Sequence, residues 1–163
     1  MQRYSYNRKE LTMKTLVLYS SKYGTTKSCA EKISKSLGCD INSLDQDTSI
    51  TLDDYSHIIL GTSVYMGKLR KPLTDFVEKN DDLQDKDLSI FFCCNEETDY
   101  QSLVPSQLKK VKTYHFGYEL KLSKMKFMDK FITKMIVKAS QDVSRLNASE
   151  IEKLIDTFKE VPN

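Results

Sequence analysis

The chain has 163 residues, 39% of them hydrophobic and 29% charged, with a formal net charge of +2. This is enough length for one domain with a buried core, and the composition excludes a disordered polymer. The charge is silent on nucleic acid and no recognition motif speaks for it; no apolar run approaches the ~18 residues that span a bilayer.

The N-terminus, MQRYSYNRKELT, is polar and lacks the apolar stretch of a signal peptide, so a cytoplasmic location is expected. Residues 1–12 read as an extension outside a single domain over 13–163, within which no repeat or linker marks a boundary. Leu16, Val17, Leu18 and Tyr19 form a short continuous apolar run, the pattern of a strand buried on both faces. The loop SSKYGTTKS follows, and then a helix with Cys29, Ala30, Ile33 and Leu37 on one face and Gly38 placed to stop it. A weak strand is expected over Asp40–Ser43 and a firm one over His57–Leu60, ending in GTSVYMGK. Pro72 sits just inside a helix carrying Leu73, Phe76 and Val77 at core spacing. Asp87–Cys94 is a third buried strand, followed by the loop NEETDYQS, a short helix near Val104–Lys110 and a strand over Thr113–Leu120. Two helices, about Lys124–Ala139 and Ala148–Glu160, close the chain.

Strands alternating with helices at this spacing mean βαβ units, hence an α/β three-layer sandwich around a parallel sheet. Five strands in a doubly wound sheet take the order 2-1-3-4-5, and the ligand lies beyond their carboxyl ends. Three loops stand there. Ser21, Lys22, Tyr23, Gly24, Thr25 and Thr26 offer hydroxyls and backbone N–H groups at a helix N-terminus, a site suited to phosphate. Neither GxxxxGK[ST] nor GxGxxG is present, which disfavours ATP and NAD. Thr62, Ser63, Val64, Tyr65, Met66 and Gly67 form the second loop, where the Tyr65 face can stack on a planar ligand. Cys94, Asn95 and Glu96 offer backbone amides in the third, with Tyr100 as a second aromatic. Taken singly, an N-cap, a surface tyrosine and an acidic loop explain each; three at one sheet edge point to a ligand.

Together these residues resemble the flavodoxin superfamily, from about Met13 to Glu160. Its phosphate loop, T/S-x-T-G-x-T, maps onto Ser21–Thr26, keeping Ser21, Gly24 and Thr26, with Tyr23 at the usual third-position hydroxyl. GTSVYMGK looks like its second flavin loop, G-[ST]-P-x-Y-x-G, with Ser63 in place of proline. The resemblance implies a flavodoxin-like fold, FMN as cofactor, and Asn95 suited to the imide edge of the flavin. More finely, MKTLVLYSSKYGTTK, ILGTSVYMGKLRKPLTDFV and KFMDKFITKMIVKAS resemble the flavodoxin-type, menaquinone-dependent protoporphyrinogen oxidases. Those oxidases carry a long insertion after the fourth strand; here only about two dozen residues separate Cys94 from Tyr118.

The four cysteines (Cys29, Cys39, Cys93, Cys94) show no CxxC spacing or partnered histidine cluster, so buried free thiols are expected and no metal. No catalytic triad is visible, and His57 reads as a satisfied core or edge histidine. Lys126, Lys130, Lys134 and Lys138 repeat every four residues along one helical face. That face is either a solvated side of a core helix or a contact for an acidic partner or the anionic inner face of a membrane. The preferred expectation is an FMN protein passing electrons to or from a redox partner protein. The alternative is a flavin oxidoreductase acting on a tetrapyrrole or quinone; a flavin-free interaction domain is the third.

Overall fold

The computed structural model describes residues 14–47, 49–121 and 143–159. In chain order these form β1 (Lys14–Ser20), α1 (Thr25–Leu37), β2 (Asp40–Ser43), β3 (Tyr55–Tyr65), β4 (Lys68–Leu69), α2 (Lys71–Lys79), β5 (Asp87–Cys93), β6 (Val111–Leu120), β7 (Val143–Leu146) and α3 (Ala148–Lys159).

β1 is apolar at successive positions because both its faces are covered. Leu16 and Leu18 face one layer with Ile58, Leu60, Ile90 and Phe92, against Leu73, Phe76 and Val77 of α2. Val17 and Tyr19 face the other with Ile59 and Phe91, against Ala30 and Ile33 of α1 and Ile151, Leu154 and Ile155 of α3. Alternation along each strand therefore feeds two cores, and each fully buried side chain of this size stabilises by about 1.5–3 kcal/mol. The sheet order is β2-β1-β3-β5-β6-β7. Its first five strands run parallel, in the doubly wound order expected from the sequence.

Helix ends follow local chemistry. α1 starts after Gly24 (φ 97°) and stops at Gly38 (φ 61°), where the Cys39 N–H donates to the Ser34 carbonyl at 3.1 Å. Pro72 lies in the first turn of α2, where its missing N–H costs nothing. In β3, Gly61 is required by a close approach: a Cβ there would collide with the ring of Phe91, its register partner on β5.

Three expectations change. The sheet has seven strands rather than five: β7 adds antiparallel to β6, and β4 folds back antiparallel on the end of β3. β3 runs well beyond His57–Leu60, from Tyr55 to Tyr65. Over 104–110 there is no helix; a single 3₁₀ turn, Gln101–Leu103, comes earlier. Val104 is extended (ψ 124°) because the following Pro105 disfavours helical geometry there. The extension over 1–12 and the lysine-bearing helix over 124–139 lie outside the described residues. Among the described residues no helix is long and apolar enough to cross a membrane.

Candidate functional site

At the carboxyl ends of β1, β3, β5 and β6 the loops surround a cleft of about 290 Å³. Its first wall is the turn into α1, contributing Ser21, Lys22, Tyr23, Thr25 and Thr26. Gly24 does not line it; its left-handed backbone makes the turn, and its N–H donates to Ser21 Oγ at 3.1 Å. The first N–H groups of α1 lack intrahelical partners, as at any helix start, and carry the positive end of the helix dipole. Thr26 is fully buried, and its Oγ1 has no hydrogen-bond partner, although the Cys93 thiol lies near it. Thr25 Oγ1 instead donates to the Glu119 carbonyl at 3.2 Å, tying α1 to the end of β6.

The second wall is a two-residue hairpin between β3 and β4. Met66 (φ 50°) and Gly67 (φ 72°) both take left-handed conformations, the geometry such tight turns need. Ser63, Val64, Tyr65, Met66 and Gly67 line the cleft. Ser63 Oγ is a second buried hydroxyl without a partner. Thr62 is fully buried in the strand, donating its hydroxyl to the Ser63 carbonyl at 3.1 Å, and stays out of the cleft. Met66 is 63% exposed at the rim. Lys22 Nζ lies 4.3 Å from the Tyr65 ring centroid and 5.2 Å from that of Tyr23, so a cation–π contact spans the first two loops.

The third loop contributes Cys93, Cys94, Asn95 and Thr98. The Thr98 N–H donates to the Asn95 carbonyl at 3.0 Å, a turn that returns Thr98 to the cleft and leaves Glu96 exposed outside it. Tyr100 is also elsewhere. Its ring stacks on His115 (centroids 5.2 Å apart, 13° between planes) and packs against Phe92, joining the core on the α2 side. His115 in turn donates Nε2–H to the Cys94 carbonyl at 2.9 Å, which braces the third loop.

A fourth wall was not foreseen: Tyr118, Glu119 and Leu120 of β6. Phe92 pairs with His115 but Cys93 pairs with Gly117, so β6 carries one extra residue there. Gly117 takes φ 79° and lies against the Arg145 carbonyl of β7, where no Cβ fits. A bulge of this kind bends its strand and re-aims the residues beyond it. A glycine inside a strand pattern was the signal available.

The two thiols that line the cleft, Cys93 and Cys94, are quiet. Burial pushes Cys94 up to about 11, and Cys93, in contact with Cys29 and buried, is held well above the usual thiol range. His57 lies at the opposite, amino end of its strand, with Nδ1 3.1 Å from an Asp87 carboxylate oxygen.

A family model described as a flavodoxin domain matches residues 16–147. Among solved structures, the fold resembles a flavoprotein in complex with FMN from Lactobacillus acidophilus: 20% identity, TM-score 0.51, covering 65% of this chain and 93% of that one. It also resembles a WrbA-like flavodoxin protein from Agrobacterium tumefaciens, at 18% identity and TM-score 0.52, covering 91% and 99%. A third likeness is to the rubredoxin oxygen:oxidoreductase of Desulfovibrio gigas, at 12% identity and TM-score 0.53, covering 92% of this chain but 38% of that one. At such identities the likeness is one of fold. No curated protein matches the sequence.

Proposed function

Since the chain belongs to the flavodoxin-domain family, we propose that its cleft binds FMN and that the bound flavin carries electrons to or from a redox partner protein. One observation carries this reading: Thr26 Oγ1 and Ser63 Oγ are buried and unpartnered, and both residues belong to the cleft walls. A buried hydroxyl without a partner costs about 1–3 kcal/mol, a cost that a ligand with acceptor oxygens and ring heteroatoms removes. Thr26 and Ser21, at the positive end of α1, would hold the phosphate. Ser63 and Asn95 would meet polar edges of the ring system, and Tyr65, Val64, Tyr118 and Leu120 would supply its apolar contacts. The flavin supplies one- and two-electron chemistry; the protein's part is to bind it, exclude water from its inner side and set its electrostatics. The cleft sits at the low end of ligand-pocket volumes, which suits a ring with one edge left open for electron exchange.

Fluorescence titration of the purified protein tests this. FMN should be quenched at a one-to-one end point while FAD is not, because the sequence carries one phosphate-type loop and no second glycine-rich turn for an adenosine diphosphate. A protein that quenches neither and shows no flavin absorbance overturns the reading.

The second reading is an oxidoreductase acting on a tetrapyrrole or quinone, the chemistry of the oxidases that the first two loops resemble. The exposed Met66 beside Tyr65 favours it, because a planar apolar substrate can rest on that rim. Turnover of protoporphyrinogen or menaquinone by FMN-loaded protein supports it; a partner-dependent electron transfer without such turnover supports the carrier. Contact of Lys126, Lys130, Lys134 and Lys138 with an anionic membrane surface is a further proposal, resting on their four-residue spacing. Co-sedimentation with anionic against neutral vesicles checks it.

A further inference from the structure

The phosphate-loop turn is anchored from outside the cleft by a charged pair. Asp45, in the turn after β2, accepts the Ser21 N–H on Oδ2 at 2.8 Å and the Ser20 hydroxyl on Oδ1 at 2.8 Å. Arg70, just before α2, donates from Nη2 to the same Oδ1 at 2.8 Å and from Nε to Ser20 Oγ at 3.1 Å. Every partner is matched in sign and donor count: Ser20 Oγ donates once and accepts once, and the two N–H groups of the guanidinium fork go to two different oxygens. The side chains of Asp45 and Arg70 are each only about a quarter exposed (25% and 24%), and Ser20 is fully buried. This is a built arrangement rather than a loose surface pair.

A carboxylate is an odd neighbour for a loop that is to hold a phosphate. By charge alone Asp45 would repel the dianion, and its removal would strengthen binding. The geometry points to a different role, and we propose that the Asp45–Arg70 pair is a positioning clasp that holds the Ser20–Thr26 turn in its phosphate-binding shape and so sets the preference for FMN over unphosphorylated riboflavin.

Three features support it. The Ser21 N–H is taken by Asp45, which orients the residue so that its Oγ accepts the Gly24 N–H at 3.1 Å and its hydroxyl proton is left for an anion. The arginine pairs with the carboxylate through Oδ1, so the anchor as a whole carries little net charge to the phosphate. Arg70 also closes the segment that carries the β3–β4 hairpin, so one residue ties the first cleft wall to the second. Burial alone would raise the Asp45 carboxyl, but hydrogen bonds from the Ser21 N–H and Ser20, with Arg70 beside it, hold it below the usual range; it is a carboxylate at neutral pH.

The inference rests on the FMN reading, and the test separates the two. FMN and riboflavin are titrated by fluorescence against the parent and the variants Asp45→Ala, Arg70→Ala and the double variant. If the pair is a clasp, each single variant loses about tenfold or more in FMN affinity, the double variant is no worse than either single, and riboflavin affinity moves less than twofold. If the pair acts only by charge, Asp45→Ala binds FMN as well as or better than the parent and the double variant returns to parental affinity; either result overturns the clasp. A parent that binds neither flavin overturns the FMN reading and the clasp with it. Should an alanine variant fail to fold by circular dichroism, Asp45→Asn and Arg70→Lys replace it, with the same direction of change in the FMN-to-riboflavin ratio; an unchanged ratio in those overturns the clasp equally.

Discussion

Thr26 is buried at the first turn of α1 with a hydroxyl that has only the Cys93 thiol near it, at best a weak partner. An alanine or valine there would serve the core as well, since a buried, unpaired hydroxyl destabilises. Thr26→Val keeps the shape and removes the unpaired group, so the flavin-free protein should melt at the same temperature or higher. FMN affinity should fall at the same time by about 10- to 100-fold, the value of ~1.5–3 kcal/mol for a hydrogen bond to a charged acceptor. Opposite signs in stability and binding are the signature of a ligand-facing group. A variant that loses stability and keeps affinity would make Thr26 an ordinary core residue. Ser20, one residue before the family motif, is the contrasting case: its buried hydroxyl is spent on Asp45 and Arg70.

At the scale of elements, what was legible follows apolar content. β1, β3 and β5 stand out as short runs of Leu, Val, Ile and Phe because both faces of each are covered. Once they are placed in parallel, topology alone names the loops at their carboxyl ends, which is how twelve of the lining residues, from Ser21 to Asn95, were within reach. β4 and β7 were not, being two and four residues long with exposed polar side chains. Tyr118, Glu119 and Leu120 depend on the bulge at Gly117, and Tyr100 was misplaced because its stacking on His115 is a tertiary choice that sequence spacing does not encode. The thiols at element ends were legible as free cysteines, although Cys39 is only partly buried where burial was expected of all four, and they carry a consequence for pH. Burial, and then the Asp40 charge, pushes Cys39 up to about 11, and burial does the same to Cys94, from an ordinary value of 9.0. Both protons are held more tightly in the folded state, so their contribution is intact below pH 9 and is lost as pH rises toward about 11. Asp45 has the opposite sign: its depressed value gives stability above about pH 4 that is lost as pH falls through it. Urea midpoints should therefore hold steady from about pH 5 to 8 and drop between 9 and 11. Replacing Cys39 and Cys94 by alanine should make that alkaline drop shallower, leaving the part that belongs to Cys93, even if it lowers the midpoint at neutral pH.

At the scale of the whole molecule, the cleft has no existence apart from the complete sheet. Its walls come from the ends of β1, β3, β5 and β6, and the Thr25 hydroxyl on the Glu119 carbonyl joins the first and last of these across 94 residues of sequence. Neither core can come apart while that arrangement stands, since adjacent strands alternate their side chains between the two layers. A ligand that binds only this assembled edge must stabilise the protein globally, by RT ln(1 + [L]/Kd), or ~2.7 kcal/mol at a hundredfold excess over Kd. For a chain of this length each kcal/mol moves the midpoint by about 2–4 °C, so FMN should raise the melting temperature by roughly 5–10 °C in one cooperative transition. Riboflavin at the same concentration should raise it less, because it gives nothing to Thr26 or to the start of α1. Hydrogen exchange should slow in β1 and β5 as well as in the loops, since an opening that frees those strands destroys the site and is made rarer by bound ligand. Protection confined to the loops, with no rise in the melting temperature, would mean that the ligand sits on the surface of a fold it does not depend on.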